Sequence, residues 1–147
     1  MVRHLVTIDD LTEAEIESIF TLTDEFLAEM ALPEKPHRVA GRKTLAQNFI
    51  LATLFYEAST RTRFSFESAM LRLGGHVLSS ADPKTTSAAK GETIADTIRV
   101  LENYADVVVV RHKHLVEASN FWPGTVRRNQ GENGSSVVFN RRVCTSM

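Results

Sequence analysis

The sequence predicts an α/β fold, a parallel-sheet αβα domain with helices packed on a central sheet. Apolar segments that have the composition of buried strands alternate along the chain with segments whose apolar residues recur at helical intervals. The length of 147 residues, with 43% hydrophobic and 24% charged residues, suits one domain with one sizeable core. The order strand, helix, strand, helix, strand favours parallel strands joined by right-handed crossovers.

Composition excludes several classes of protein. The net charge is −1, from 17 basic and 18 acidic residues, so we expect neither nucleic acid nor a membrane surface as the main partner. The single cysteine, Cys144, excludes a disulfide framework within the chain and a zinc site built from paired cysteines. No apolar run approaches the roughly 18 to 20 residues of a membrane span. We therefore expect a soluble, cytoplasmic protein.

The first helix is predicted from Thr12 onward. Thr12 and Glu15 have the spacing of a capping box, and apolar residues then recur at mostly helical intervals until Pro33. The stretch 33–43 contains Pro36 and Gly41 and reads as a link between this helix and the sheet.

The next two elements are a buried strand and a helix. The run 44–55 is rich in apolar residues and has no Gly or Pro, as in a strand buried on both faces, although its length would also allow a helix. A hydroxyl-rich turn, 59–63, follows it, and a helical pattern runs from Phe64 until Gly74.

Two further strands and a helix complete the pattern. Residues 76–80 form a short second strand candidate, and 81–90 a loop rich in Ser, Thr and Ala. A third helix is predicted from Thr93 to Tyr104, and a run of four valines, 107–110, forms a third strand that ends at Arg111.

Polar segments follow all three strands, at the edge where open α/β sheets bind ligands. The turn 59–63 also begins a helix, where free N–H groups favour an anion, and its two guanidinium groups match phosphate oxygens. The pattern favours a small phosphate compound, but Arg61 and Arg63 could instead form surface ion pairs with Glu57 or Glu67. The glycine-rich nucleotide-binding motifs G-x-x-x-x-G-K-[ST] and G-x-G-x-x-G do not occur.

Three motifs carry a resemblance to a known family. They are F-Y-E-A-S-T-R-T-R-F-S-F-E (55–67), T-T-S-A-A-K-G-E-T-I-A-D-T (85–97) and V-V-V-V-R-H (107–112). Over about residues 5 to 112 the chain resembles the carbamoyl-phosphate domain of the aspartate carbamoyltransferases. The sister family, the ornithine carbamoyltransferases, shares S-T-R-T-R, whereas the second and third motifs look more like the aspartate enzymes.

The resemblance implies roles for particular residues. Ser59, Thr60, Arg61 and Thr62 would bind the phosphate, whereas Arg63 is less certain and could be structural. Arg111 would contact the phosphate and the carbamoyl oxygen, and Thr62 would help to polarise the same carbonyl, so Thr62, Arg111 and Arg61 are the expected catalytic residues.

The same resemblance implies an assembly and a reaction. Ser87 and Lys90 would reach the active site of a neighbouring subunit, which implies a homotrimer, and Glu57 would pair with arginines of a second domain. The α-amine of an amino acid would attack carbamoyl phosphate and release phosphate, in the pathway of pyrimidine biosynthesis. We expect no cofactor and no metal, because positioning and charge stabilisation suffice for this chemistry.

The sequence departs from the family pattern after His112. The H-P-T-Q segment and the amino-acid-binding domain are absent, and 116–147 carries four arginines, two glutamates and no helical period. We expect a carbamoyl-phosphate-binding domain over 1–115 and a divergent, poorly ordered tail over 116–147. Such a chain would not turn over alone. The alternatives are a non-catalytic binding or assembly module and a fragment of an ornithine carbamoyltransferase.

Overall fold

The structure is a computed structural model that describes residues 4–5, 8–31, 45–80, 90–112 and 135–140. Its elements are β1 (His4–Leu5), a 3-10 turn (Ile8–Asp10), α1 (Glu13–Met30), β2 (Ile50–Phe55), α2 (Thr60–Arg72), β3 (His76–Ser80), α3 (Ile94–Leu101), β4 (Val107–His112) and β5 (Ser135–Asn140). The order β2, α2, β3, α3, β4 is the alternation that the sequence predicts.

One five-stranded sheet, in the order β1-β5-β4-β2-β3, forms the centre of the fold. Strand β2 lies in the middle of its parallel part and pairs with β3 on one side and with β4 on the other. The register places Thr53 beside both Ser79 and Val109, and Phe55 beside Arg111. The predicted α/β class with a parallel sheet is confirmed.

Each face of the sheet has its own apolar cluster, because side chains along a strand alternate between the two faces. On one face Leu51, Phe55 and Val109 are buried, and Phe66 and Met70 of α2 pack against them. On the other face the buried residues are Ala52, Leu54, Ile98, Ala105, Val108 and Val110. Helices α2 and α3 therefore cover opposite faces, as in an αβα arrangement.

Strand β5 is antiparallel to β4 and was not predicted. It comes from the part of the chain for which we expected poor order, and its backbone pairs with β4 from Val107↔Asn140 to His112↔Ser135. The two-residue strand β1 pairs with its other side. The local pattern S-S-V-V-F-N is too short to reveal such a strand, because the pairing that stabilises it joins residues far apart in sequence. Residues 113–134 and 141–147 lie outside the described residues.

Two predicted boundaries are wrong by several residues. The first long strand begins at Ile50 rather than Thr44, because residues 45–48 form a turn. Asn48 has φ 71°, in the left-handed region that asparagine tolerates better than most residues. Helix α2 begins at Thr60 rather than Phe64, so most of the predicted hydroxyl-rich turn is the first turn of the helix.

Helix α1 confirms the predicted capping box. The Thr12 hydroxyl accepts from the Glu15 N–H at 3.3 Å, and the Thr12 N–H donates to Glu15 Oε2 at 2.8 Å. None of the residues of α1 is buried. The predicted link 33–43 and most of the loop 81–90 lie outside the described residues. In the part of the chain that is described, no helix has both the length and the apolar character needed to span a bilayer.

Candidate anion-binding site

The carboxyl ends of the three parallel strands meet at one edge of the sheet. Strand β2 ends at Phe55, and only four residues separate it from the first residue of α2. The Tyr56 N–H donates to the Arg111 carbonyl oxygen at 2.8 Å, so the chain leaving β2 is held against the end of β4. The edge therefore brings the start of α2 and Arg111 together, as the sequence predicts.

The first turn of α2 has features that favour an anion. Ser59 is the N-cap residue, but its side chain makes no capping bond to the backbone; its hydroxyl lies 2.8 Å from the Thr62 hydroxyl instead. No acidic residue lies in this turn. The N–H groups at the start of the helix therefore remain available to other acceptors. The positive end of the helix dipole lies at the same terminus and also favours an anion.

The two arginines of this turn differ in their environment. The Arg63 Nε lies 3.7 Å from Glu67 Oε1, one helical turn away, and the side chains of this pair are only 22% and 17% exposed. Arg61 is exposed and makes no ion pair or hydrogen bond within the described residues. The alternative of ordinary ion pairs therefore holds for Arg63 and fails for Arg61, which remains available to a ligand.

One carboxylate oxygen joins α2 to two strands. Glu67 Oε1 accepts from the Thr53 hydroxyl at 2.8 Å and from the Ser79 hydroxyl at 2.6 Å. Thr53 itself is fully buried in the middle of β2. We call Thr53, Arg63, Glu67 and Ser79 the Glu67 network. Sequence analysis raised Glu67 only as an ion-pair partner of the arginines and missed its bonds to Thr53 and Ser79, although a threonine within the apolar run 50–55 was the available signal.

Arg111 is held at the end of β4 by one carboxylate. Its NH2 group donates to Glu57 Oε1 at 3.4 Å, and both side chains are less than one-third exposed. Arg111 Nε and Glu57 Oε2 are buried and have no hydrogen-bond partner among the described residues. Buried polar atoms without partners are rare in folded proteins, so this pair retains capacity for a polar ligand.

Aromatic rings lie beside this pair. The rings of Tyr56 and His112 meet edge to face, with centroids 5.3 Å apart and an interplanar angle of 69°. This contact adds to the packing at the ends of β2 and β4.

Two of the predicted residues lie in the loop 81–90, most of which lies outside the described residues. Lys90 is exposed at the start of the segment leading into α3, and the described residues show no hydrogen bond or ion pair to it. Ser87 lies outside the described residues. Within the described ranges there is no group of three His, Cys, Asp or Glu residues that could hold a metal ion.

Comparison with known proteins identifies the family. Residues 3–134 match the model of the aspartate/ornithine carbamoyltransferase, carbamoyl-P binding domain. The aspartate carbamoyltransferase catalytic subunit of Clostridium acetobutylicum is 52% identical over 110 residues, which are 75% of this chain and 33% of that protein. The match extends past residue 112, where the motifs found in the sequence end.

Solved structures give the same result for the fold. The catalytic subunit of M. jannaschii aspartate transcarbamoylase is 45% identical, with a TM-score of 0.61 over 76% of this chain and 34% of that one. Aspartate transcarbamoylase from Trypanosoma cruzi in complex with carbamoyl phosphate is 34% identical, with a TM-score of 0.63 over 75% and 33%. The chain spans about one third of the length of the relatives that it matches. It belongs to the aspartate/ornithine carbamoyltransferase family and corresponds to the carbamoyl-phosphate-binding domain of that family.

Proposed function

We propose that this chain is the carbamoyl-phosphate-binding half of an aspartate carbamoyltransferase and that it binds carbamoyl phosphate at the carboxyl edge of the sheet. The domain would occupy residues 1–115. The observation that carries the proposal is the uncapped first turn of α2, with Arg61 unpaired within the described residues and Arg111 at the adjacent strand end. A small dianion placed there would meet backbone N–H groups, hydroxyls and two guanidinium groups.

The residue roles follow from this placement and from the family. Ser59, Thr60, Arg61 and Thr62 would hold the phosphate, and Arg111 would contact both the phosphate and the carbamoyl oxygen. Thr62 would share the polarisation of that carbonyl. Glu57 already binds Arg111 and would orient it.

The reaction needs a second substrate that this half does not supply. The aspartate α-amine would form a bond to the carbamoyl carbon, the bond from that carbon to the phosphate oxygen would break, and the amine would lose a proton. The products would be N-carbamoyl-L-aspartate and phosphate. Donors aimed at the developing oxyanion and at the leaving phosphate would supply the stabilisation on this side of the site.

Partners would complete the active site. The chain spans one third of its relatives, so we propose that the amino-acid-binding residues belong to a further domain and that the isolated chain does not turn over. Proximity of the two reactants is worth ~7 to 11 kcal/mol of barrier in well-oriented systems, and this half alone does not provide it. Ser87 and Lys90 would serve a neighbouring subunit of a homotrimer. The setting would be pyrimidine biosynthesis in the cytoplasm.

Titration calorimetry of the full chain tests the proposal. Carbamoyl phosphate is expected to bind saturably, and inorganic phosphate more weakly. Arg61→Ala is expected to lose about 10- to 100-fold in affinity, since a hydrogen bond to a charged group is worth about 1.5 to 3 kcal/mol. Arg99→Ala is the matched control, because it removes the same charge from an exposed pair with Asp96 on α3. No saturable binding by the folded chain would contradict the proposal.

A second candidate function is a non-catalytic binding or assembly module, and the one-third coverage favours it for the chain alone. An assay for carbamoyl aspartate formation separates the two. A rate above background that depends on the protein and disappears in Arg61→Ala would show that this half is catalytic by itself. The same assay with ornithine tests the remaining alternative, which the comparison with C. acetobutylicum does not favour.

A further inference from the structure

The Glu67 network connects the middle of the sheet to the turn proposed to bind phosphate. Thr53 lies in β2, the middle strand of the parallel part, and Ser79 lies in the edge strand β3, and both hydroxyls donate to the same oxygen of Glu67. The Thr53 and Ser79 hydroxyls also lie 3.2 Å apart. Two donors from neighbouring strands therefore fix this carboxylate, and the carboxylate projects from the second turn of α2.

The fixed carboxylate in turn holds Arg63. Arg63 Nε lies 3.7 Å from Glu67 Oε1, an ion pair without a hydrogen bond, and about four-fifths of each side chain is buried. Arg63 also covers the Phe64 ring, with its Cζ 5.0 Å from the ring centroid. Arg63 thus contacts Glu67 and Phe64. Arg61, in the same turn, makes no such contact within the described residues, and its guanidinium stays available to an anion.

We propose that Glu67 is a positioning residue of the phosphate site, which acts by holding Arg63 and thereby the first turn of α2 against the sheet edge. Without the charge of Glu67, Arg63 would be an unpaired and largely buried guanidinium, which is costly. It would move towards water, and the turn that carries Thr62 would move with it. This inference rests on the proposed phosphate site at the same turn.

Glu67→Gln tests the inference, with inorganic phosphate as the probe and the full chain as the protein. The amide oxygen of glutamine can still accept from Thr53 and Ser79, so the substitution removes mainly the charge that holds Arg63. We expect phosphate affinity to fall about tenfold, equivalent to about 1.4 kcal/mol. Glu17→Gln, which makes the same charge change on exposed α1, is expected to leave affinity within twofold of the parent chain.

A double-mutant cycle separates positioning from a general effect on stability. If Glu67 acts through Arg63, Glu67→Gln costs less than about threefold in an Arg63→Ala background. The ³¹P chemical shift of bound phosphate is expected to change in Glu67→Gln and to stay unchanged in Glu17→Gln. A tenfold loss in both backgrounds would overturn the inference, because Glu67 would then act without Arg63.

Further results of the same binding measurements also test the inference. Affinity in Glu67→Gln that equals or exceeds that of the parent chain overturns the inference, while Arg61→Ala still reports on the phosphate site itself. If the parent chain binds neither carbamoyl phosphate nor inorganic phosphate, the proposed function and this inference fall together, whereas binding of carbamoyl phosphate without inorganic phosphate overturns this inference alone. Should Glu67→Gln not fold, Ser79→Ala removes one of the two hydroxyl donors from an exposed position, and unchanged affinity in that variant also overturns the inference.

Discussion

Thr53 is the one buried polar residue in the described core. An unpaired hydroxyl at this position would cost about 1 to 3 kcal/mol, and its bond to the Glu67 carboxylate offsets that cost. Thr53 thus has two structural roles. Thr53 fills space beside Leu51 and Phe55 on the α2 face, and it fixes the Glu67 carboxylate below the turn proposed to bind phosphate.

Thr53→Val is expected to lower the free energy of unfolding by about 1.5 to 3 kcal/mol, because valine keeps the volume and removes a hydrogen bond to a charged acceptor. Urea unfolding measures this value. The control is Thr23→Val on α1, where the hydroxyl donates only to the Ile19 carbonyl oxygen and the residue is exposed. Equal effects of the two substitutions would show that the Glu67 network does not stabilise the fold.

At the scale of single elements, α1 and α3 have similar caps and different packing. Thr12 caps α1 and Thr93 caps α3, each by accepting from the N–H three residues later. Helix α3 buries Ile98 in the core, whereas α1 has no buried residue. The α3 cap therefore stabilises a helix that is anchored in the core, whereas the α1 cap stabilises a helix that has no buried residue and contacts α2 through Met30 and Arg72.

Thr93→Ala is expected to reduce global stability by about 1 kcal/mol, the usual contribution of an N-cap. Thr12→Ala is expected to leave the main unfolding transition in place and to increase hydrogen exchange in the first turns of α1. Exchange measured alongside urea unfolding distinguishes the two responses. A loss of global stability in Thr12→Ala as large as that in Thr93→Ala would mean that α1 unfolds together with the sheet.

The α3 cap also has a pH dependence. The hydrogen bond from the Thr93 hydroxyl lowers the pKa of Asp96, and Arg99 lowers it further. Because the pKa is lower in the folded chain, Asp96 contributes stability above its unfolded value, about 3.9, and loses it as the pH falls through the folded value. Asp96→Asn is accordingly expected to be less stable than the parent at pH 7 and equal to it in acid. Urea unfolding of both proteins across this range measures the difference, and a gap that persists in acid would contradict the assignment.

Elements with a local signal could be predicted from the sequence, and elements that depend on distant partners could not. The capping pair Thr12 and Glu15 and the valine run of β4 are local, and both elements lie where expected. Strand β5 depends on the backbone edge of β4, and the turn before β2 depends on the φ of Asn48. At the site, residue types indicated an anion, but only the fold shows that Arg63 is paired and Arg61 is not.

At the scale of the whole molecule, β5 covers one edge of β4. An uncovered edge exposes a row of N–H and C=O groups that pair readily with another chain. The segment lies beyond residues 3–134, the part of the chain that matches the family. Protection of β4 therefore comes from a stretch that the family match does not include.

Deleting 135–147 is expected to leave the edge of β4 open and to promote self-association. Analytical ultracentrifugation and light scattering of the shortened and full chains measure the effect at equal concentration. Val138→Pro is a second test, because proline removes a backbone donor from the same ladder. A shortened chain that keeps the association state and the stability of the full chain would show that β5 does not protect this edge.

The direction of β5 also determines on which side of the sheet a surface tether can be attached after this strand. The strand enters beside His112, at the edge proposed to bind phosphate, and reaches Asn140 beside Val107, where the parallel strands begin. A tether that continues from Asn140 thus starts on the side of the sheet opposite the ligand. A surface tether attached directly after Asn140 should leave the edge proposed to bind phosphate facing solution, an orientation suited to surface-based binding assays.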